Sequence, residues 1–452
     1  MGGIGAVAEP LVVVALLIGG TWINRDFNPG RRRPINLRRI SDKNVKGRLG
    51  TRDYDGVLEE DLEARTMSPS LLVAQEPKWR TRRLGIGGRE TYVTTPNTRR
   101  FKGYVLSRLL ERFPFLVECW YWALIYWVYQ LGRAATAVWI VEGTVHVARK
   151  HALEVIAAEE RLHIFWELSI QKFFMQNQFI MIWIKRTYSF IHIPGSIAFL
   201  IFLFYYTNTR NRLDEAQLDK DFGETKGSPA GPRLYESRRR TMAFCNLLAF
   251  IIFTAWPCMP PRLLSADTSQ GETGKLARRY GFVDTVHGPG GEGSIWTDNR
   301  FTKKFVAMPS LHFGYSLLIG LTVATIPLNR AHASTTSMVL PLMNRSHPSL
   351  APKITIPSWR RLLCVAVGFF YPALILVAIL ATANHFILDA VAGSIVCAAA
   401  WYGNDVLLNL LVVEDWFLWV VRIHKPESYA VEAEEGDERF VMKVVCKMRM
   451  SG

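Results

Sequence analysis

The 452-residue chain is 49% hydrophobic and 12% aromatic and carries a formal net charge of +15. Length alone would allow two or three soluble domains, but the apolar residues gather in blocks nearly free of charge at 191–206, 242–256, 315–326, 362–383 and 390–413. Several blocks approach the length that crosses hydrocarbon, which excludes an ordinary soluble enzyme and predicts an all-α, polytopic helical bundle in a membrane.

Lys and Arg concentrate between the apolar blocks, the pattern of loops facing an anionic cytoplasmic leaflet. The chain has no interleaved basic and aromatic surface motif, so nucleic acid is not an expected partner. Six cysteines, Cys119, Cys245, Cys258, Cys364, Cys397 and Cys446, include no CxxC pair. They read as small buried side chains, not as a disulfide or zinc framework.

Residues 1–24 contain an apolar run interrupted by Glu9 and Pro10 and followed by Arg25 and Arg31-Arg32-Arg33. Positive charge after the apolar run predicts an uncleaved membrane anchor, not a secretory signal. The basic stretch 25–112 lacks periodicity and predicts a largely disordered cytosolic region. From 113 to 141 the chain becomes apolar and rich in Trp, with Glu118 and Arg133 bounding a span. Residues 146–185 place apolar side chains at helical spacing, as in an interfacial helix or packing shoulder. Glu159, Glu160, His163 and Glu167 on it resemble a metal set, yet a solvated helix face accounts for them more simply.

A second span covers 188–207, with His192-Ile193-Pro194-Gly195 at its start, and a polar loop leads to Arg238-Arg239-Arg240. The third span, 242–256, stops at Pro257-Cys258-Met259-Pro260-Pro261-Arg262, because each proline removes an amide donor. A Gly-rich loop ending in Lys303-Lys304 precedes the fourth span, which is expected to begin at Pro309, a residue suited to a first helical turn. The fifth span ends near Ala383, His385 follows, and the sixth runs to about Val413. Six core spans result, with 113–415 as the catalytic region and 416–452 as a cytosolic tail.

Counting crossings brings Arg262, Ser310 with His312, and His385 with Asp389 to one face of the membrane. His385 and Asp389 stand at i and i+4, so the carboxylate can accept a hydrogen bond from the imidazole and stabilise the cation formed when the other ring nitrogen attacks. His312 can protonate a leaving oxygen. Arg262, Ser310 and the amides at the start of the fourth span can bind phosphate oxygens, and Lys303 and Lys304 can attract an anionic headgroup.

Pro309-Ser310-Leu311-His312 and Thr382-Ala383-Asn384-His385-Phe386-Ile387-Leu388-Asp389 resemble the second and third motifs of the type 2 phosphatidic acid phosphatase superfamily. With His192 to Gly195 and Trp256 to Leu263, the chain is most similar to the branch containing inositol phosphorylceramide synthases, over about residues 110–415. The resemblance implies a six-helix membrane core, a phosphohistidine intermediate, no metal and no cofactor. His385 would be the nucleophile, Asp389 its partner, His312 the acid/base and Arg262 a phosphate ligand. The phosphatase branch has a Lys seven residues before the motif Arg and an Arg six residues before the nucleophile, where this chain has Ala255 and Ile379.

Those two missing cations favour transfer of a phosphoryl or phosphoinositol headgroup between membrane lipids over hydrolysis of a lipid phosphate. The other readings are a non-enzymatic membrane protein that keeps the fold and a hydrolase with metal on His312, His385 and Asp389, which chelators would inhibit. The expected location is the endoplasmic reticulum or Golgi, with the site on the luminal face. A glycan on Asn344, in the sequon Asn344-Arg345-Ser346, would invert that orientation. The sequence assigns no oligomeric state.

Overall fold

The computed structural model describes residues 2–27, 77–86, 89–139, 143–188, 192–213, 228–265, 272–285, 307–328, 336–339 and 353–426. In chain order these form α1 (Gly2–Ile23), β1 (Trp79–Ile86), β2 (Arg89–Pro96), α2 (Val105–Arg112), α3 (Phe115–Trp139), α4 (Gly143–Arg161), α5 (Glu167–Met175) and α6 (Gln178–Arg186). Then come α7 (His192–Phe204), α8 (Pro232–Ala255), α9 (Glu272–Arg279), α10 (Leu311–Thr325), β3 (Thr336–Val339), β4 (Lys353–Ile356), α11 (Trp359–Ala381), α12 (Ile387–Gly403) and α13 (Leu411–Val420). Lys303, Lys304 and the Asn344 sequon lie outside the described residues.

The chain is mostly helical but not all-α, since β1 pairs with β2 and β3 with β4 in two antiparallel hairpins. Among the described residues two helical runs, Trp359–Ala381 and Ile387–Val420, are long and apolar enough to cross a membrane. Pro10–Ile23 and Leu311–Thr325 are apolar but shorter. The helix expected at Pro309 starts two residues later, because Ser310 is its N-cap and accepts the Phe313 amide at 3.4 Å, in place of the amide partners the first turn lacks.

Two compact units divide the chain. The larger, Met1–Arg25 with Pro114–Leu408, holds α1 and α3 to α12. Its core gathers Phe115, Leu203, Phe204 and Tyr235 with Leu318 of α10 and Val396 of α12. Helices α10 and α11 approach at Gly320 and Gly368, where a Cβ on either would strike the other's carbonyl oxygen, the close backbone contact that small residues permit between membrane helices. The charge at Glu118 of α3 is accommodated inside the bundle, accepting hydrogen bonds from Tyr235 at 3.0 Å and Arg239 at 2.8 Å. Pairing of this kind keeps a buried carboxylate tolerable.

The smaller unit, Asp26–Phe113 with Asn409–Gly452, holds the β1–β2 hairpin, α2 and α13. Part of the stretch that lacks periodicity is therefore ordered. Gly87-Gly88 separates the strands in sequence, a composition suited to a two-residue hairpin connection, and Thr91, Val93 and Thr95 have the β-branching that strands favour. The ordering partners are distant in sequence. Asp415 accepts Arg82 at 2.7 and 2.9 Å and Thr95 at 2.8 Å, while Phe101 meets Trp419 edge-on at 5.2 Å.

Candidate active site

Helix α11 ends in a Schellman turn. The Asn384 amide reaches the Ile379 carbonyl at 3.0 Å and the Ala383 amide reaches Leu380 at 2.9 Å, with Ala383 in the left-handed region at φ 50°. This reversal satisfies the last carbonyls of the helix and delivers His385 two residues before α12 begins. His385 is buried, and its Nδ1 lies 2.7 Å from the Ala307 carbonyl oxygen and 3.5 Å from Asp389 Oδ2. A carbonyl only accepts, so Nδ1 carries the hydrogen and Nε2 keeps its lone pair.

The carboxylate expected to take that hydrogen bond has a different first partner. Asp389 Oδ2 accepts the Phe386 amide at 2.9 Å and stands behind the imidazole as the nearest negative charge. His312, in the first turn of α10, brings its ring centroid to 5.5 Å from that of His385 and stacks on Tyr188 at 4.7 Å. Ser310 ties the two helices together, donating its amide to the Asp389 carbonyl at 2.9 Å. Ser310 is fully buried, and its hydroxyl accepts from the Phe313 amide as the cap of α10.

Arg262 sits in a short 3-10 turn, Pro261–Leu263, after the proline-rich exit of α8. Its amide donates to Ala383 at 2.9 Å, its Nε to Asn384 Oδ1 at 2.8 Å and its Nη1 to Asp284 Oδ2 at 2.9 Å. The guanidinium is thereby fixed beside the His385 turn. Gln171 holds Asp284 in place by pairing with the Val283 amide and carbonyl at 3.2 and 2.8 Å.

A solvated face does not describe Glu159 and Glu167: both are 0% exposed, whereas Glu160 and His163 are on the surface. Glu159 Oε1 accepts the Leu388 amide at 2.8 Å and Glu167 Oε1 accepts the Ile387 amide at 2.7 Å. The orphan donors at the N-terminus of α12 thus end on three carboxylates. Burial, and then the neighbouring Glu167, pushes Glu159 up to about 9, and burial also raises Glu167. The sequence carried a signal for this, since Glu159 falls three and four residues after Ile156 and Val155, on the buried face of α4. Asp284, Tyr188 and the Ala307 carbonyl had none.

Apolar membrane-length helices and a buried His385–Asp389 pair, with the half-buried His312 and a fixed arginine beside it, define a class, the phosphatase-type membrane proteins. A family model of the PAP2 superfamily matches residues 153–217, 230–351 and 354–403, more than half of the chain. The protein belongs to that superfamily, and membership points to phosphatase- or phosphotransferase-type chemistry on lipids. No curated protein and no solved structure matches the chain.

Proposed function

We propose that the protein is a multi-pass membrane phosphotransferase that moves a phosphoryl or phosphoinositol headgroup between lipids through a phosphohistidine at His385. The observation that carries this reading is the placement of the His312 ring 5.5 Å from a His385 whose Nδ1 is committed to Ala307. Nε2 attacks phosphorus, the bond from phosphorus to the leaving oxygen breaks, and His312 donates the proton that oxygen needs. In the second half, an acceptor hydroxyl gives its proton to His312 as its oxygen attacks phosphorus, and the bond to Nε2 breaks. Asp389 stabilises the charged imidazole, and Arg262 carries the charge on the non-bridging oxygens.

The catalytic region is 113–415, crossing the membrane six times, with the site on the luminal face of the endoplasmic reticulum or Golgi. Ala255 and Ile379 at the two positions where the phosphatase branch has cations favour a lipid acceptor over water. The test incubates purified protein with radiolabelled phosphatidylinositol plus ceramide, and separately with phosphatidic acid. Headgroup transfer that disappears in His385→Ala supports the reading; turnover of neither substrate, or a variant equal to wild type, sinks it. Release of phosphate without transfer would make it a lipid phosphate phosphatase.

A further inference from the structure

The acidic pair beneath α12 is buried and belongs to no step of the chemistry above. Each carboxyl group spends Oε1 on an amide of the first α12 turn, and each leaves Oε2 buried without a hydrogen-bond donor. The two groups hold adjacent amides, Ile387 and Leu388, and each acts electrostatically on the other. Two carboxylates are acceptors only, so neither second oxygen is satisfied while both are ionised, and their charges repel in a medium with little screening. One proton between them removes both costs.

We propose that Glu159 and Glu167 share one proton and act as a positioning pair for the turn that carries His385, so that losing the proton disorders the site. The positioning role rests on the reading of His385 as nucleophile. With the proton in place, a single negative charge lies at the N-terminus of α12, where the helix dipole favours it, and the Ile387 and Leu388 amides stay anchored. Without it, two charges lie next to Asp389 and the turn is pushed away.

The titratable groups that act on the pair are Asp389 of α12 and the Cys258 thiol in the turn after α8. His385 stands beyond Asp389 at 3.5 Å. Helix α9 packs on α4, and Tyr280, just after it, acts on Glu160, not on Glu159. Helix α11 packs on α5 through an apolar end, Ile375 to Ala381.

Purified full-length wild type, Glu159→Gln and Glu159→Ala test this by three measurements. The infrared carbonyl band of a protonated carboxyl is expected in wild type at neutral pH and absent in Glu159→Gln. The His385 imidazole NMR signals, recorded without substrate, should change in wild type as pH passes about 9 and stay constant in Glu159→Gln. Lipid headgroup turnover should fall roughly tenfold per pH unit above that point in wild type, as for loss of one proton. Glu159→Gln, whose amide can accept from Leu388 and donate to Glu167, should keep at least about a third of neutral turnover without the alkaline fall, while Glu159→Ala should lose about tenfold or more throughout.

A missing infrared band, an unaltered alkaline change in Glu159→Gln, or a bound divalent cation released by that substitution would overturn the shared proton. If wild type turns over neither lipid while the infrared and NMR results appear as expected, the phosphotransfer reading fails and the proton-dependent positioning of His385 stands.

Discussion

The Nδ1 of His385 lies 2.7 Å from the backbone carbonyl of Ala307 and 3.5 Å from Asp389 Oδ2. The tautomer of His385 is thus set by a main-chain group that substitution cannot remove, and Asp389 contributes mainly charge. Asp389→Asn keeps the cap on Phe386 and loses the charge. A charge-assisted contact is worth about 2 kcal/mol, so turnover is expected to drop by roughly thirtyfold. Asp389→Ala loses the cap as well, about 1 kcal/mol more in stability, seen by comparing turnover and thermal unfolding.

Arg262 bridges Asn384 and Asp284 through Nε and Nη1, which a single ammonium group cannot do. Arg262→Lys is expected to lower headgroup turnover by about a hundredfold, as when a donor to developing charge is removed, with little change in unfolding temperature. A loss of stability equal to that of a core substitution would assign Arg262 to packing instead.

At Gly393 an added Cβ would collide with the Ser310 carbonyl, where α12 meets the start of α10. Gly393→Ala should cost about 2 kcal/mol, typical of overpacking, and lower turnover by separating His312 from His385. Gly19→Ala, with nothing within 4 Å of the new methyl group, should be neutral or gain about 0.5 kcal/mol. Thermal unfolding in one detergent distinguishes the two.

Stability should also depend on pH through the buried acid pair. Glu159 holds its proton up to about 9 in the folded protein, well above its unfolded value, so folding takes up a proton between the two. The contribution is complete below the ordinary carboxylate range and is lost as pH rises toward about 9. Unfolding temperature should decline over that window in wild type and less steeply in Glu159→Gln.

In the smaller unit, Asp415 is buried and accepts from both Arg82 and Thr95. Asp415→Ala removes the carboxylate that holds a poorly exposed guanidinium in two hydrogen bonds, at a cost of about 3 kcal/mol. Limited proteolysis should then cut within 79–96 while lipid headgroup turnover stays mostly intact.

The chain by itself determined the apolar runs that become α11 and α12, and it singled out His312, His385, Asp389 and Arg262 as candidates. Hydrophobic runs, prolines and i to i+4 spacing are local properties, written in neighbouring residues. Tertiary structure alone decided that Ala307 holds the imidazole, that Asp284 holds Arg262, and that Asp415 orders a hairpin. Each is a contact between residues far apart in sequence, with no periodic trace at either end. Glu159 and Glu167 stand between the two cases. Their helical spacing placed Glu159 on a buried face, but the use of that burial appears only where two acids meet the unpaired amides below His385.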